Sequence, residues 1–118
     1  MAKRIPTWDE DLPIYRQIMD SVIGSILEGT YPEEELMPSV RQLATEYGVS
    51  PLTAAKVFAE LSRENLIDKR IGIGFAVRKG VRKILLNRER RRFLEKEWPK
   101  LRERLERLEI DIKDLSGN

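Results

Sequence analysis

Apolar residues recur along the first quarter of the chain with the period of a helix. Ile14, Ile18, Val22 and Ile26 stand four apart, and Tyr15, Ile23 and Leu27 widen the stripe enough for burial. The spacing predicts a helix over 13–28. Pro13 suits its first turn, Asp9, Glu10 and Asp11 complement its dipole, and Gly29 supplies the stop. After the loop GTYPEEELMP, Ser39 and Gln42 form the S-x-x-Q pattern of a capping box, which opens a short helix through Tyr47 that Gly48 ends. Ser50 is then placed as an N-cap and Pro51 as the first residue of a third helix. That helix extends to Arg63 or Glu64, with Asn65 in the left-handed cap position. A short helix, a tight glycine turn and a second helix are the sequence form of a helix-turn-helix. The runs LIDKRI and FAVRK follow, β-prone and joined around Gly72-Ile73-Gly74, which predicts a hairpin.

From about Leu86 to Leu108 the pattern turns helical and charged. Leu94, Trp98, Leu101, Leu105, Leu108, Ile112 and Leu115 alternate spacings of four and three, the a/d seam of a heptad repeat, with Pro99 expected to kink the helix inside it. Asp111 and Asp114 offer caps for a last short helix after a break near Glu109, so one kinked helix or two both stay open. The reading is an α+β chain. Residues 8–78 form a winged helix-turn-helix domain of three helices and a β-hairpin wing, and 79–118 a short all-helical dimerisation region. Leu94, Trp98, Leu101, Leu105 and Leu108 are too many large apolar groups for so polar a helix to leave in water. Burial between two subunits is favoured over docking on the first helix of the same subunit, because docking does not require heptad spacing.

On a 100° wheel, Ala54, Val57, Phe58 and Leu61 share the buried face of the third helix. Leu52 and Lys56 fall nearly opposite. A slim outer face with one cation and one exposed leucine suits the DNA major groove, where Lys56 can donate to guanine O6 or N7 and Leu52 can touch a thymine methyl. The amino end of this helix, with the hydroxyls of Ser50 and Thr53, offers unpaired N–H groups to phosphate.

Composition narrows the chemistry further. The 118 residues hold neither cysteine nor histidine, which excludes disulfides, zinc sites built on those ligands, and imidazole acid–base chemistry. No metal or cofactor is expected. No apolar run approaches the ~20 residues of a membrane span, and the start MAKRIPTWDED lacks the apolar core of a signal peptide, so the cytoplasm is the expected location and no membrane partner is implied. The net charge of +2 conceals an asymmetry: residues 78–107 carry 13 basic and 5 acidic side chains, whereas residues 1–40 carry 3 basic and 8 acidic. Such a basic block attracts polyanions, though RNA or a membrane surface as well as DNA, and a solvated charged helix reads the same way. The densest carboxylate cluster, Glu33-Glu34-Glu35, has no nucleophile or metal-binding partner nearby and reads as a solvated turn, so an enzyme is not expected.

The stretch MPSVRQLATEYGVSPLTAAKVFAELSRENLIDKRIGIGFAV, residues 37–77, resembles the GntR family of bacterial transcription regulators, and LPIYRQI at 12–18 is similar to that family's first helix. Pro51 followed by Thr53 and Lys56 resembles the N-P-N-T-x-x-R segment of the YtrA-type branch, whose carboxyl-terminal region is also short and helical. The resemblance implies that Arg41, beside Ser39 at the front of the second helix, grips DNA. It implies that Ser50, Pro51, Leu52, Thr53 and Lys56 read the operator, and that Gly72 and Gly74 form the wing turn. Ser50 and Leu52 replace asparagines of that branch, which implies a different base preference. Ile71 and Ile73 stand where wings are commonly polar or basic, and Arg70 with Lys69 covers part of that role.

The expectation is a transcriptional repressor that binds a two-fold double-stranded DNA operator as a homodimer. A winged helix serving as a protein-interaction or RNA-binding module is the alternative. A small-molecule effector, if there is one, belongs between subunits or between wing domain and tail, because some 38 residues cannot enclose ~300 Å³ alone.

Overall fold

The computed structural model describes residues 12–115. Asp9, Glu10 and Asp11, and the start of the first domain at residue 8, lie outside the described residues. Three helices come first: α1 (Ile14–Glu28), α2 (Val40–Tyr47) and α3 (Pro51–Arg63). The hairpin β1 (Ile67–Arg70) and β2 (Gly74–Val77) follows, then α4 (Val81–Arg92), a π-helical turn (Phe93–Glu97), α5 (Trp98–Arg107) and α6 (Ile112–Leu115). The chain divides into two compact units, the first ending at Lys83 and the second beginning at Ile84.

The core of the first unit is the convergence of the apolar stripes. Ile18, Val22 and Ile26 of α1, Leu43 and Ala44 of α2, and Ala54, Val57, Phe58 and Leu61 of α3 are buried. Full burial of one such leucine or phenylalanine side chain stabilises by about 1.5–3 kcal/mol. Ile14, placed by its spacing in the buried stripe, is exposed instead, because the first turn of α1 extends past the core. The Ser21 and Tyr47 hydroxyls meet at 2.7 Å and tie α1 to α2. The Phe58 and Phe75 rings, 4.9 Å apart, tie α3 to the hairpin.

The hairpin is antiparallel, with Ile67 opposite Val77 and Arg70 opposite Gly74. The α1–α2 loop covers the outer edge of β2. Glu34 N–H donates to the Val77 carbonyl at 2.7 Å, Met37 N–H to the Phe75 carbonyl at 2.8 Å, and Val77 N–H to the Glu35 carbonyl at 3.3 Å. The acidic triplet keeps Glu34 and Glu35 exposed, as a solvated turn does, but its backbone is paired. It supplies an irregular third edge that satisfies backbone groups β2 would otherwise leave unpaired.

The same loop explains why α4 begins at Val81 and not near Leu86. Glu33 Oε1 accepts the Gly80 N–H and its Oε2 the Arg82 N–H, each at 2.9 Å, so a carboxylate distant in sequence caps the helix. Arg82 Nε returns a bond to the Leu27 carbonyl at 2.9 Å. Val81 and Leu85 are buried.

In the second unit, the disturbance expected at Pro99 takes the form of the π turn, closed by Trp98 N–H donating to the Phe93 carbonyl. Proline has no N–H and its ring clashes with the carbonyl four residues back, and a widened turn accommodates both. Of the two arrangements left open beyond Leu108, the structure adopts the break. Glu109 takes φ 54, and α6 is capped reciprocally: Asp111 N–H donates to the Asp114 carboxylate at 3.1 Å, and Lys113 N–H to that of Asp111 at 3.0 Å.

Candidate nucleic-acid interface

The residues singled out in the first unit fall into three pieces: the front of α2, the front of α3 and the wing. At α2, the Ser39 hydroxyl accepts the Gln42 N–H at 3.1 Å while the Gln42 side chain accepts the Ser39 N–H at 2.8 Å. This closed capping box holds the first turn rigid, and Arg41 projects from it, exposed. Ser39, Arg41, Gln42, Thr45 and Glu46 line a shallow open groove.

Gly48 turns the chain from α2 into α3 with φ 66, a conformation that costs a residue bearing a Cβ about 1–2 kcal/mol. The Ser50 hydroxyl then accepts the Thr53 N–H at 3.1 Å and lies 3.0 Å from the Thr53 hydroxyl. Pro51 occupies the first helical position, where a missing N–H costs nothing. Leu52 is 82% exposed, one of the barest large apolar side chains among the described residues. Ser50, Pro51, Leu52, Thr53 and Lys56 thus share the first turns of one helix, with Leu52 and Lys56 exposed opposite the buried Ala54, Val57, Phe58 and Leu61.

The Lys56 ammonium lies 4.2 Å from the centre of the Tyr15 ring. Sequence spacing along α3 cannot reveal this partner, because it comes from α1. To donate to a base the ammonium must leave the ring, at a cost of about 0.5–1 kcal/mol for an exposed cation–π contact.

In the wing, Ile73 N–H closes the turn onto the Arg70 carbonyl at 2.9 Å, with Gly72 at φ 76 in a position that favours glycine. Gly74 begins β2. Ile71, 92% exposed, and Ile73 form an apolar tip. The Arg70 guanidinium donates to the Glu34 carbonyl at 2.9 Å, so it braces the wing against the α1–α2 loop.

In the second unit, Leu94 lies in the π turn, Trp98, Leu101 and Leu105 on α5, and Leu108 at its end. Leu94, Leu101 and Leu108 are exposed, Trp98 and Leu105 half-buried. Among the described residues, no group of acidic side chains is arranged to hold a metal ion, and no helix is long and apolar enough to cross a membrane.

The sequence pattern of the bacterial regulatory proteins of the gntR family matches residues 14–77. The chain is 31% identical over 99 residues to the HTH-type transcriptional repressor YtrA of Bacillus subtilis, a match spanning 84% of this chain and 70% of that one. A GntR family transcriptional regulator from Listeria monocytogenes superposes with a TM-score of 0.72 at 28% identity, over 93% of this chain and 95% of the other. An AraR(DBD) chain in complex with an operator superposes at 0.58 and 25% identity, over 65% of this chain and 99% of that one.

Proposed function

The chain belongs to the GntR family of bacterial regulatory proteins and is a DNA-binding transcriptional regulator, and from that premise we propose that it is a repressor reading a two-fold operator as a homodimer. The observation that carries this reading is the front of α3. A helix with its core stripe fully buried leaves Leu52 bare beside a capped amino end, which suits contact with base edges and phosphates. The front of α2 supplies Arg41, with Ser39 bracing it, as the phosphate or base grip. The wing turn at Gly72 and Gly74 approaches the duplex, and Arg70 contributes by holding the wing in place.

One winged helix spans only a few base pairs, so tight specific binding needs two copies and a two-fold site. The seam of exposed Leu94, Leu101 and Leu108 with half-buried Trp98 and Leu105 supports pairing through the tail, residues 79–118. The repressor role follows the name of the YtrA relative.

The test is a gel shift of the full chain at fixed salt. A duplex selected by the chain from a randomised pool should carry a two-fold repeat and be bound far more tightly than random duplex or RNA. Equal affinity for all three overturns the reading. A promoter carrying the selected site should be expressed less when the chain is present.

A further inference from the structure

Lys56 stands one turn along α3 from Leu52, yet its charge lies against another helix. The ammonium rests 4.2 Å from the centre of the Tyr15 ring on α1. Two features favour that position. The first turn of α1, which carries Tyr15, is tied back: the Pro13 carbonyl accepts the Arg16 N–H at 3.1 Å, and the Gln17 side chain donates to the Leu12 carbonyl at 3.0 Å. The carboxylate one turn beyond Lys56, that of Glu60, is taken by Arg63, whose Nε donates to it at 3.0 Å. Glu60 would otherwise compete for the ammonium at the i,i+4 spacing of a helical ion pair. Ala55 and Ala59, also exposed on this side of α3, carry no side-chain donor.

We propose that Tyr15 is a specificity-determining positioning residue: by holding Lys56 aside it leaves Leu52 as the main base-reading side chain of α3, so that the operator is recognised at thymine C5-methyl groups while Lys56 serves a backbone phosphate. The inference deepens the operator reading proposed above and rests on it. In the major groove the base pairs differ in their donors, their acceptors and one methyl group, that of thymine. A leucine offers nothing to the donors and acceptors, and gains from covering the methyl. A lysine extended to guanine O6 or N7 would add a competing preference for G·C. The ring opposes that extension, since leaving an exposed cation–π contact lowers the engagement by about two- to fivefold. A phosphate requires no such departure. The ring covers one side of the ammonium, its remaining N–H groups point away, and a phosphate oxygen accepts them with charge assistance.

The test is binding of the full chain, at fixed salt, to the duplex it selects from a randomised pool and to copies in which one thymine at a time becomes deoxyuridine. Deoxyuridine keeps every donor and acceptor of thymine and lacks only the C5-methyl. At the sensitive thymine of each half-site the unaltered chain should lose about fourfold in affinity, the worth of one buried methyl, and Leu52→Ala should lose nothing further there. Lys56→Ala should weaken binding to all duplexes alike and lower the salt slope by about one unit, as loss of a phosphate contact does. Tyr15→Leu frees the ammonium and should raise affinity for duplexes with guanine beside the sensitive thymine by about two- to fivefold relative to the selected duplex. Tyr15→Phe keeps the ring face and should keep the unaltered base profile. A Tyr15→Leu chain with the unaltered profile overturns the proposal. If Tyr15→Leu does not fold, Lys56→Ala decides, and a loss confined to duplexes with guanine at one position overturns it. A selected duplex indifferent to deoxyuridine also overturns it while leaving the operator reading intact. Failure of the unaltered chain to prefer the selected duplex over random duplex overturns the operator reading and this inference together.

Discussion

Leu52 stands 82% exposed on the second position of α3, so replacing it should change recognition without changing stability. Leu52→Asn is expected to alter base preference at one position per half-site, measured by binding to singly substituted duplexes, with an unchanged melting temperature. A drop of several degrees would mean that the side chain packs against protein. Arg41 projects from a helix turn that Ser39 and Gln42 already hold, and its own side chain is not needed for that cap. Arg41→Ala should leave folding intact and weaken DNA binding at fixed salt by about 1–3 kcal/mol, the worth of a charge-assisted contact. An unchanged Kd removes Arg41 from the interface. Glu34 takes φ 66 with no glycine to ease it, yet its backbone is held there by the Val77 carbonyl and by Arg70. Glu34→Gly should relieve the left-handed conformation at a smaller entropic cost. The expected net gain is about 0.5–1 kcal/mol, a rise of a few degrees in melting temperature.

At the scale of elements, caps decide where helices begin. α2, α3 and α6 start on residues two or three positions from the N–H groups they satisfy, whereas α4 starts on Glu33, in a loop before α2. The Gly80 N–H, and then the Arg82 N–H, hold the Glu33 carboxyl below its usual range, with the Arg82 and Lys79 charges adding to the effect. A carboxyl whose pKa is lowered by folding stabilises the fold above its unfolded pKa, and that contribution disappears as pH falls through the folded value. The difference in urea midpoint between the unaltered chain and Glu33→Gln should therefore be full at neutral pH and shrink below about pH 4. A difference that persists undiminished at pH 3 would assign the effect to shape and not to charge.

At the scale of the whole molecule, the tail has two parts with different roles. Val81 is buried, and Gly80 and Arg82 engage Glu33, so the first turn of α4 belongs to the stability of the first unit. Beyond Arg92 come the exposed Leu94, Leu101 and Leu108 with the half-buried Trp98 and Leu105. A chain ending at Arg92 should fold, sediment as a monomer at micromolar concentration and bind single half-sites weakly. A chain ending at Lys79 should have a lower melting temperature than one ending at Arg92, since it loses the buried Val81 and the N–H partners of Glu33. A dimer that survives truncation at Arg92 would place the subunit interface outside the seam.

Much of this fold is written in short-range patterns. The helix-turn-helix, the hairpin and the caps at Ser39, Ser50, Asn65 and Asp111 follow from residues within four positions of one another, because helix periodicity and capping bonds operate over a single turn. The outward face of α3 follows for the same reason: once Ala54, Val57, Phe58 and Leu61 are buried, Leu52 and Lys56 have only the opposite side. What tertiary structure alone decided are contacts between groups far apart in the chain. These are Glu33 at the start of α4, Tyr15 beneath Lys56, Arg70 on the Glu34 carbonyl, and the loop edge along β2. Each joins a polar group to a backbone atom or ring on another element. Such a pairing has no period in sequence, and it becomes definite only when the packed core brings the two elements within hydrogen-bond or van der Waals reach.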